Sequence, residues 1–213
     1  MIKAYYLKKG KKMKKLITIM VAILFSSSVA QAEQGKFRFG AEAGYAWADI
    51  GAEKNAQALA NAVGATVTYS YDKADLMGRV YGQYGINKNL SAEIGYFKSA
   101  SLDARYTVSG VTVNETYDVN GFDLSGVYQD DSGFYGKAGV HKSEINGDLS
   151  VTVSGTRYNI ASASQDGTGF LVGVGYEGKI DEKMSWTAGV TYYDSIGGLS
   201  GADATFASVG LRF

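Results

Sequence analysis

The residues that could carry catalysis stand in two short stretches. The tetrapeptide His141-Lys142-Ser143-Glu144 combines a potential base, a hydroxyl and an acid. A serine nucleophile needs a base within hydrogen-bond reach and an acid that orients this base, so the tetrapeptide is compatible with hydrolysis of an acyl bond. The stretch 173–178 (GVGYEG) fits the G-x-G-x-x-G pattern of dinucleotide sites, but it lies inside a predicted strand that no helix follows. We therefore expect no nucleotide cofactor.

Composition excludes several other kinds of chemistry. The 213 residues include no Cys and one His, which rules out thiolate metal sites and leaves little for a histidine site. The acidic pair Asp130-Asp131 has the character of a solvated turn, so we expect no metal. Seven of the 21 basic residues lie in the first 32 positions, which leaves 14 basic against 21 acidic residues and a net charge of −7 for the rest. Nucleic-acid binding requires the opposite sign.

The first 32 residues predict a secretory signal peptide. Four lysines between positions 11 and 15 precede an apolar run at 16–25, and Ala30-Gln31-Ala32 supplies an A-x-A cleavage site. The run is shorter than the ~20 residues of a membrane-spanning helix, which makes a membrane anchor the weaker alternative. Translation from Met13 would give a more regular basic region. We expect two units: a signal peptide at 1–32 and a mature β-barrel at 33–213.

The mature chain alternates between apolar residues and small or polar ones. Eight segments show this pattern, at 37–47, 79–86, 90–97, 122–128, 134–141, 170–177, 186–193 and 207–213. A period of two residues predicts strands with one apolar face. An even number of strands of about ten residues is typical of single-chain barrels of the bacterial outer membrane. The absence of Pro agrees, because proline cannot donate to a hydrogen-bond ladder.

Three features indicate that the apolar faces point outward into lipid. The opposite faces hold mostly Gly, Ala and Ser, which suit the narrow interior of an eight-stranded barrel. Short connections at 87–89, 130–133 and 178–183 alternate with long ones at 49–75, 98–117, 142–167 and 194–203, as in barrels with short periplasmic turns and long outer loops. Aromatic residues at one end of the strands predict a girdle: Phe37, Tyr84, Tyr128, Phe134, Tyr176, Trp186 and Phe213. A soluble barrel, with its apolar face inward, is the alternative.

The same alternation predicts charged side chains inside the barrel. The expected set is Arg38, Glu42, Arg79, Glu93, Asp123, Lys137 and Arg212. Because an unpaired buried charge is costly, we expect Arg38, Arg79 and Lys137 to pair with the three acids and close the lumen. Members near a rim would instead be solvated. A lumen filled in this way argues against a permanently open pore, although exchange between ion pairs could admit small ions.

The long loops carry patterns of their own. Residues 52–65 have apolar positions at helical spacing, which fits one or two amphipathic turns or a mobile loop. Two hairpins are predicted beyond the bilayer, 101–108 with 111–117 and 149–153 with 156–160. Their strand edges could bind a partner by strand addition, or they could simply stiffen the loops.

Together these features resemble the transmembrane domain of OmpA and its OmpX/Ail-type relatives, over essentially all of 33–213. Terminal Phe213, with Leu211 and Val209 two and four residues earlier, is similar to the signal read by the outer-membrane assembly machinery. The resemblance implies an all-β fold, an eight-stranded antiparallel up-and-down transmembrane β-barrel with long outer loops. It implies residence in the Gram-negative outer membrane, in contact with membrane lipid and lipopolysaccharide. No peptidoglycan-binding domain follows in this sequence, so we expect no attachment to the cell wall.

Three functions are compatible with these expectations. The first is a non-enzymatic barrel that reinforces the envelope and offers its outer loops to a surface ligand. The second is a small porin-like or gated channel. The third and most distant is a lipid A-modifying hydrolase, because a deacylase barrel of the outer membrane also has its His and Ser two residues apart, like His141 and Ser143. Against it, His141 is predicted to face the lumen, whereas the lipid substrate lies outside the wall.

Overall fold

The computed structural model describes residues 34–49, 57, 60–61, 64, 66–72, 74–108, 111–153 and 155–213. These residues form ten strands: β1 (Phe37–Asp49), β2 (Thr68–Tyr71), β3 (Ala74–Gly85), β4 (Leu90–Ser99), β5 (Leu102–Val108), β6 (Val111–Gln129), β7 (Phe134–Val153), β8 (Thr156–Lys179), β9 (Ser185–Tyr193) and β10 (Asp203–Arg212). In this part of the chain no helix has the length and apolar character needed to cross a membrane. The predicted signal peptide lies outside the described residues, and so does the predicted helix at 52–65 apart from four isolated positions.

Eight of the strands close into a ring. Their order is β1-β3-β4-β6-β7-β8-β9-β10, each pair is antiparallel, and β10 pairs with β1 to close the barrel. This confirms the predicted architecture, and each of the eight alternating segments overlaps one strand of the ring. The remaining two strands, β2 and β5, pair with each other, and β5 pairs with the outer part of β6. The short strand β2 was not predicted, because it lies within the long first loop.

The barrel buries its polar face and exposes its apolar one. On β3, Leu76 and Val80 point outward and are 54% and 56% exposed. Arg79 and Tyr81, on the opposite face of the same strand, are only 2% and 4% exposed. A soluble barrel would show the reverse, because its apolar side chains would gain by leaving water. The outward apolar surface therefore fits a hydrocarbon environment, and the soluble alternative is wrong.

Inward-facing glycines make room for large side chains in the lumen. A Cβ atom at Gly95 would lie 2.6 Å from Nη2 of Arg79, and one at Gly40 would lie 2.3 Å from Cζ of Tyr81. Both distances are below van der Waals contact, so a larger residue at either position would displace the Arg79 or the Tyr81 side chain. The alternation of glycine with arginine and tyrosine is how a ring of only eight strands accommodates charged groups.

Three strands of the ring, β6, β7 and β8, continue beyond it at the end that carries the long loops. Strand β5 pairs with residues 111–117 of β6, and β7 and β8 remain paired as far as Val153 and Thr156. Both predicted hairpins are therefore present. With β2 they make a five-stranded sheet in the order β2-β5-β6-β7-β8, which we call the protruding sheet. Strand β9 pairs with β8 only over 171–179, and the β9–β10 connection lies against 165–167, so residues 156–164 have one free edge and are all exposed.

The short turn between β6 and β7 is organised by Asp130. Its Oδ1 atom accepts hydrogen bonds from the Ser132 hydroxyl at 2.6 Å, from the Ser132 amide at 2.9 Å and from the Phe134 amide at 3.0 Å. These bonds, that of the Ser132 hydroxyl above all, hold the pKa of the Asp130 carboxyl below its ordinary value of 3.8. Because folding lowers this pKa, the ionised Asp130 carboxyl stabilises the folded state at any pH above its pKa in the unfolded chain. This stabilisation is lost as the pH falls through the pKa of the carboxyl in the folded state.

We expect the Asp130 carboxyl carbon to titrate below pH 3.8 in the folded barrel. The measurement is an NMR titration of the protein in detergent micelles. Ser132→Ala should move the midpoint upward, because the carboxylate loses one donor, whereas Lys183→Ala in a different turn should leave it in place. A wild-type midpoint at or above the ordinary value would contradict the turn geometry.

Candidate functional site

Charged side chains meet in the part of the lumen nearer the short turns, around Arg79. Its guanidinium donates to Asp123 through Nε at 2.8 Å and Nη2 at 2.6 Å, to Glu93 through Nη2 at 2.7 Å, and to Glu42 through Nη1 at 3.3 Å. The Arg79 side chain has no exposed surface. One guanidinium of β3 therefore joins carboxylates from β1, β4 and β6.

A second centre forms around Glu177, which the sequence analysis left out of the charged set. Glu177 Oε1 accepts hydrogen bonds from Arg38 Nη2 at 2.6 Å and from Ser185 Oγ at 2.6 Å. Its Oε2 atom accepts one from Arg212 Nη1. Arg212 also lies 3.6 Å from Glu93, which links the two centres. The structure thus gives Arg38 a different partner from the three acids that we expected.

Lys137 is the member of the set without a close partner. It is 7% exposed, and among the described residues no carboxylate lies at ion-pair distance from its ammonium group. The expected pairing of Lys137 is therefore absent from this part of the chain. With Glu177 included, the lumen holds four basic and four acidic groups. We call these eight residues the charge network: Arg38, Glu42, Arg79, Glu93, Asp123, Lys137, Glu177 and Arg212.

Parity alone could have found Glu177. It shares the inward face of β8 with Gly173 and Gly175, and the predicted excess of one basic group already indicated a missing acid. In the structure its side chain is fully buried.

Apolar side chains pack together inside the barrel on the side of the long loops. They are Met77, Phe97, Leu171, Tyr193, Ile196 and Phe206, each at most 6% exposed, and we call them the apolar plug. The rings of Phe97 and Tyr193 lie 4.9 Å apart. A cavity of about 30 Å³ remains among these residues. The sequence analysis did not predict this plug.

The connection between β9 and β10 folds inward over the plug. His141 Nε2 lies 2.7 Å from the carbonyl oxygen of Asp194, so this nitrogen carries the proton, and Ser143 Oγ accepts a hydrogen bond from the Gly197 amide at 2.9 Å. Ile196 inserts its side chain among the plug residues. Ser195 adopts a left-handed backbone with φ of 54° to make this turn.

The candidate nucleophile and base therefore have structural contacts. His141 and Ser143 are 2% and 1% exposed, and both face the lumen. Among the described residues no hydrogen bond joins them, since each contacts the β9–β10 connection instead. A Ser–His pair that acts on lipid needs both a mutual contact and access from the bilayer. Nor does the described part of the chain contain three His, Asp or Glu residues grouped to hold a metal.

The seven predicted girdle aromatics lie on the outer face at the end with the short turns. Neighbouring rings are close, with centroids 4.8 Å apart for Phe37 and Tyr84 and 5.1 Å apart for Phe134 and Tyr176. Trp186 lies 5.5 Å from Tyr176. A second set, which the sequence analysis did not assemble, faces outward near the other end: Tyr45, Trp47, Tyr96, Phe122, Phe170 and Tyr192. Two such sets are what the two interfaces of a membrane favour.

The C-terminal residues take part in closing the ring. Val209 and Leu211 point outward on β10, and the Phe213 backbone exchanges two hydrogen bonds with Phe39 at 2.7 and 2.8 Å. The last residue is thus held against β1 at the closing seam. Its role as an assembly signal stays a prediction.

The ring, the outward apolar band and the charged lumen define a transmembrane β-barrel. The sequence profile of the outer membrane protein beta-barrel domain matches residues 17–213, and the chain belongs to this family. The family places the protein in the Gram-negative outer membrane.

Solved structures of similar fold include proteins of Yersinia pestis and Pseudomonas aeruginosa. Ail of Yersinia pestis, in complex with the heparin analogue sucrose octasulfate, is 12% identical with a TM-score of 0.50, and the match covers 84% of this chain and 99% of Ail. The N-terminal barrel domain of Pseudomonas aeruginosa OprF is 13% identical with a TM-score of 0.44, covering 84% and 98%. OprG from the same organism is 14% identical with a TM-score of 0.43, covering 87% and 99%. Among curated proteins no sequence match was found.

Proposed function

We propose that this protein is a non-enzymatic barrel with a closed lumen, which reinforces the outer membrane and contacts surface ligands through its protruding sheet. Residues 1–32 would be removed as a signal peptide on export. The assembly machinery would read Val209, Leu211 and Phe213, and lipopolysaccharide would surround the outer rim.

The proposal of a closed lumen is supported by two different barriers that follow one another along the barrel axis. The charge network fills one part with a connected set of buried ion pairs. The apolar plug packs the next part with buried apolar side chains, where an ion would lose most of its hydration. An ion that crosses the barrel would have to displace both. Either barrier alone would already impede passage.

Planar-bilayer conductance tests this proposal. We expect the refolded mature chain, residues 33–213, to give no steady conductance above that of the bare bilayer. Glu42→Ala should remain closed as well, because it disturbs the charge network and leaves the plug intact. A steady, large conductance of the wild type would overturn the closed lumen.

A gated channel is the second candidate, and Lys137 is the observation that favours it. This buried ammonium lies in the same network as the acids that hold Arg79, but no carboxylate of the described residues is at ion-pair distance from it. It could take over a carboxylate if Arg79 moved, because making one ion pair would offset breaking another. Such a channel would show brief, small openings that Lys137→Met abolishes. If neither the wild type nor the Lys137→Met variant showed any opening in the bilayer recording, the gated channel would be excluded.

The surface role rests on the free edge of β8. Residues 158–165 contain no charge and no proline along this edge, whereas exposed edges are usually protected by one or the other. An extended peptide could therefore add to the protruding sheet as a further strand. Hydrogen exchange of these amides tests the idea. They should exchange more slowly on cells that carry the ligand than in the isolated protein, and equal rates would contradict it.

The hydrolase is retained only as the most distant alternative. We expect the purified barrel to release no fatty acid from lipopolysaccharide, because His141 and Ser143 are buried and hold the β9–β10 connection. If the wild type released fatty acid and the Ser143→Ala variant did not, the hydrolase function would be supported again.

A further inference from the structure

The lumen side of the barrel wall continues upward as one face of the protruding sheet, which we call the inner face. The strand register aligns Ala104, Glu115, Leu149 and Ala161 in one row on this face. Lower on β7 the same face carries Ile145, which packs against the apolar plug. The other charged side chains of the described sheet lie on its opposite face: Asp103, Arg105, Asp118, Asp148 and Arg157. Within the described residues, Glu115 is thus the one charge of the inner face.

A groove of about 220 Å³ crosses the inner face between Glu115 and the free edge of β8. Gly147 lies at its centre, and the Tyr117 ring leans over this glycine, since a Cβ atom there would lie 3.2 Å from Cε1 of Tyr117. Ala161 and Ala163 line the groove on β8, and both are exposed. Because these three residues are small, the groove is open towards the edge along which an added strand would lie.

Glu115 provides a negative charge at the far end of this groove. Its Oε2 atom accepts a hydrogen bond from the Tyr117 hydroxyl at 2.6 Å, which draws the carboxylate towards Gly147. No lysine or arginine in the described part of the chain contacts it. Lysine and arginine side chains place an aliphatic stem along apolar surface and a charged group at its end. The walls and the far end of the groove match these two parts.

We propose that the strand added to β8 carries a lysine or arginine, whose side chain lies in the groove and forms an ion pair with Glu115. This specificity deepens the strand addition proposed above and rests on it. Three strand spacings separate an added strand from β6, about 14 Å in all. A long basic side chain opposite Ala163 and the side chain of Glu115 close this gap by extending towards each other. The surface ligand is then an extended basic segment of a partner protein.

Two synthetic peptides test this specificity on the refolded mature protein. Both are capped heptapeptides with threonine on one face and valine on the other. They differ only at the central position of the valine face, which is lysine in one and norleucine in the other. Amide chemical shifts in detergent micelles report binding at residues 158–164. We expect the lysine peptide to bind about threefold more tightly or better, as for a partly exposed ion pair, and high salt to remove the difference.

Three variants locate the charge that the lysine peptide recognises. Glu115→Gln should lower the affinity for the lysine peptide to that for the norleucine peptide, whose own affinity stays unchanged. The matched control is Asp118→Asn, which removes an acid of the same strand on the opposite face and should preserve the preference. Ala163→Leu fills the groove and should abolish the preference with Glu115 intact. Gel mobility before and after heating reports whether each variant has folded.

Two results would overturn the basic specificity and leave the added strand in place. One is equal affinity of the two peptides for the wild type, with shifts along β8 in both titrations. The other is a preference for lysine that survives Glu115→Gln. If neither peptide shifted the amides of β8, strand addition would itself be excluded, and the site in the groove with it.

Discussion

Replacing Arg79 with methionine should destabilise the folded barrel by about 3–5 kcal/mol, because removal of one partner leaves buried carboxylates unpaired. Three acids, Asp123, Glu93 and Glu42, form ion pairs with this one guanidinium. The measurement is urea-induced unfolding in lipid vesicles, followed by tryptophan fluorescence and by the change of gel mobility on heating.

The control is Lys88→Met, which removes an ion pair of similar length in a different environment. Lys88 lies 2.9 Å from Asp131, with side chains 60% and 69% exposed. Lys88→Met should lower the free energy of unfolding by less than about 1 kcal/mol, because water screens this ion pair. Arg79→Lys should fall between the two, since it keeps the charge but cannot reach three carboxylates at once. If Arg79→Met cost no more than the control, the charge network would have no structural role.

The second large effect is expected for Phe97→Ala in the apolar plug. Phe97 is 1% exposed and contacts Tyr193, so its truncation should leave a cavity and cost about 3–5 kcal/mol. The same unfolding measurement applies. Phe122→Ala is the matched comparison, because Phe122 is 62% exposed on the outer face and lipid fills the space it vacates. Phe122→Ala should lower the free energy of unfolding less than Phe97→Ala, because it removes apolar surface without leaving a cavity. Equal decreases for the two variants would contradict a close-packed apolar plug.

Phe97→Ala should also remain electrically silent. The charge network stays in series with the weakened plug, so no continuous aqueous path is opened. Combining it with Arg79→Met removes parts of both barriers, and steady conductance is expected from this double variant alone. Conductance of the Phe97→Ala protein by itself would show that the charge network does not obstruct ions.

The alternation of residues was sufficient to predict the ring because its period depends only on neighbours along one strand. For the same reason, the alternation predicted that the side chains of Arg79, Asp123 and Lys137 point into the lumen. It did not give the partner of Arg38, since Arg38 and Glu177 are 139 residues apart and meet across the lumen only after the ring has closed. Such pairings depend on strand tilt and ring closure, which a local pattern does not contain.

The apolar plug escaped prediction for a different reason. Phe97 and Phe206 share the inward parity, but among glycines and serines they did not stand out as a group. Ile196 lies in a loop, and its inward path depends on the left-handed backbone of Ser195 and on the anchors supplied by His141 and Ser143. Loop direction of this kind follows from tertiary contacts and not from periodicity.

The cross-lumen ion pairs also constrain how the chain can enter a bilayer. A flat sheet of these strands would present the eight charged groups to hydrocarbon, where they lack water and the partners that lie on distant strands. A closed ring brings Arg38 of β1 to Glu177 of β8 and Arg212 of β10 towards Glu93 of β4. Insertion and closure must therefore proceed together, and an unclosed intermediate is confined to the aqueous side of the membrane.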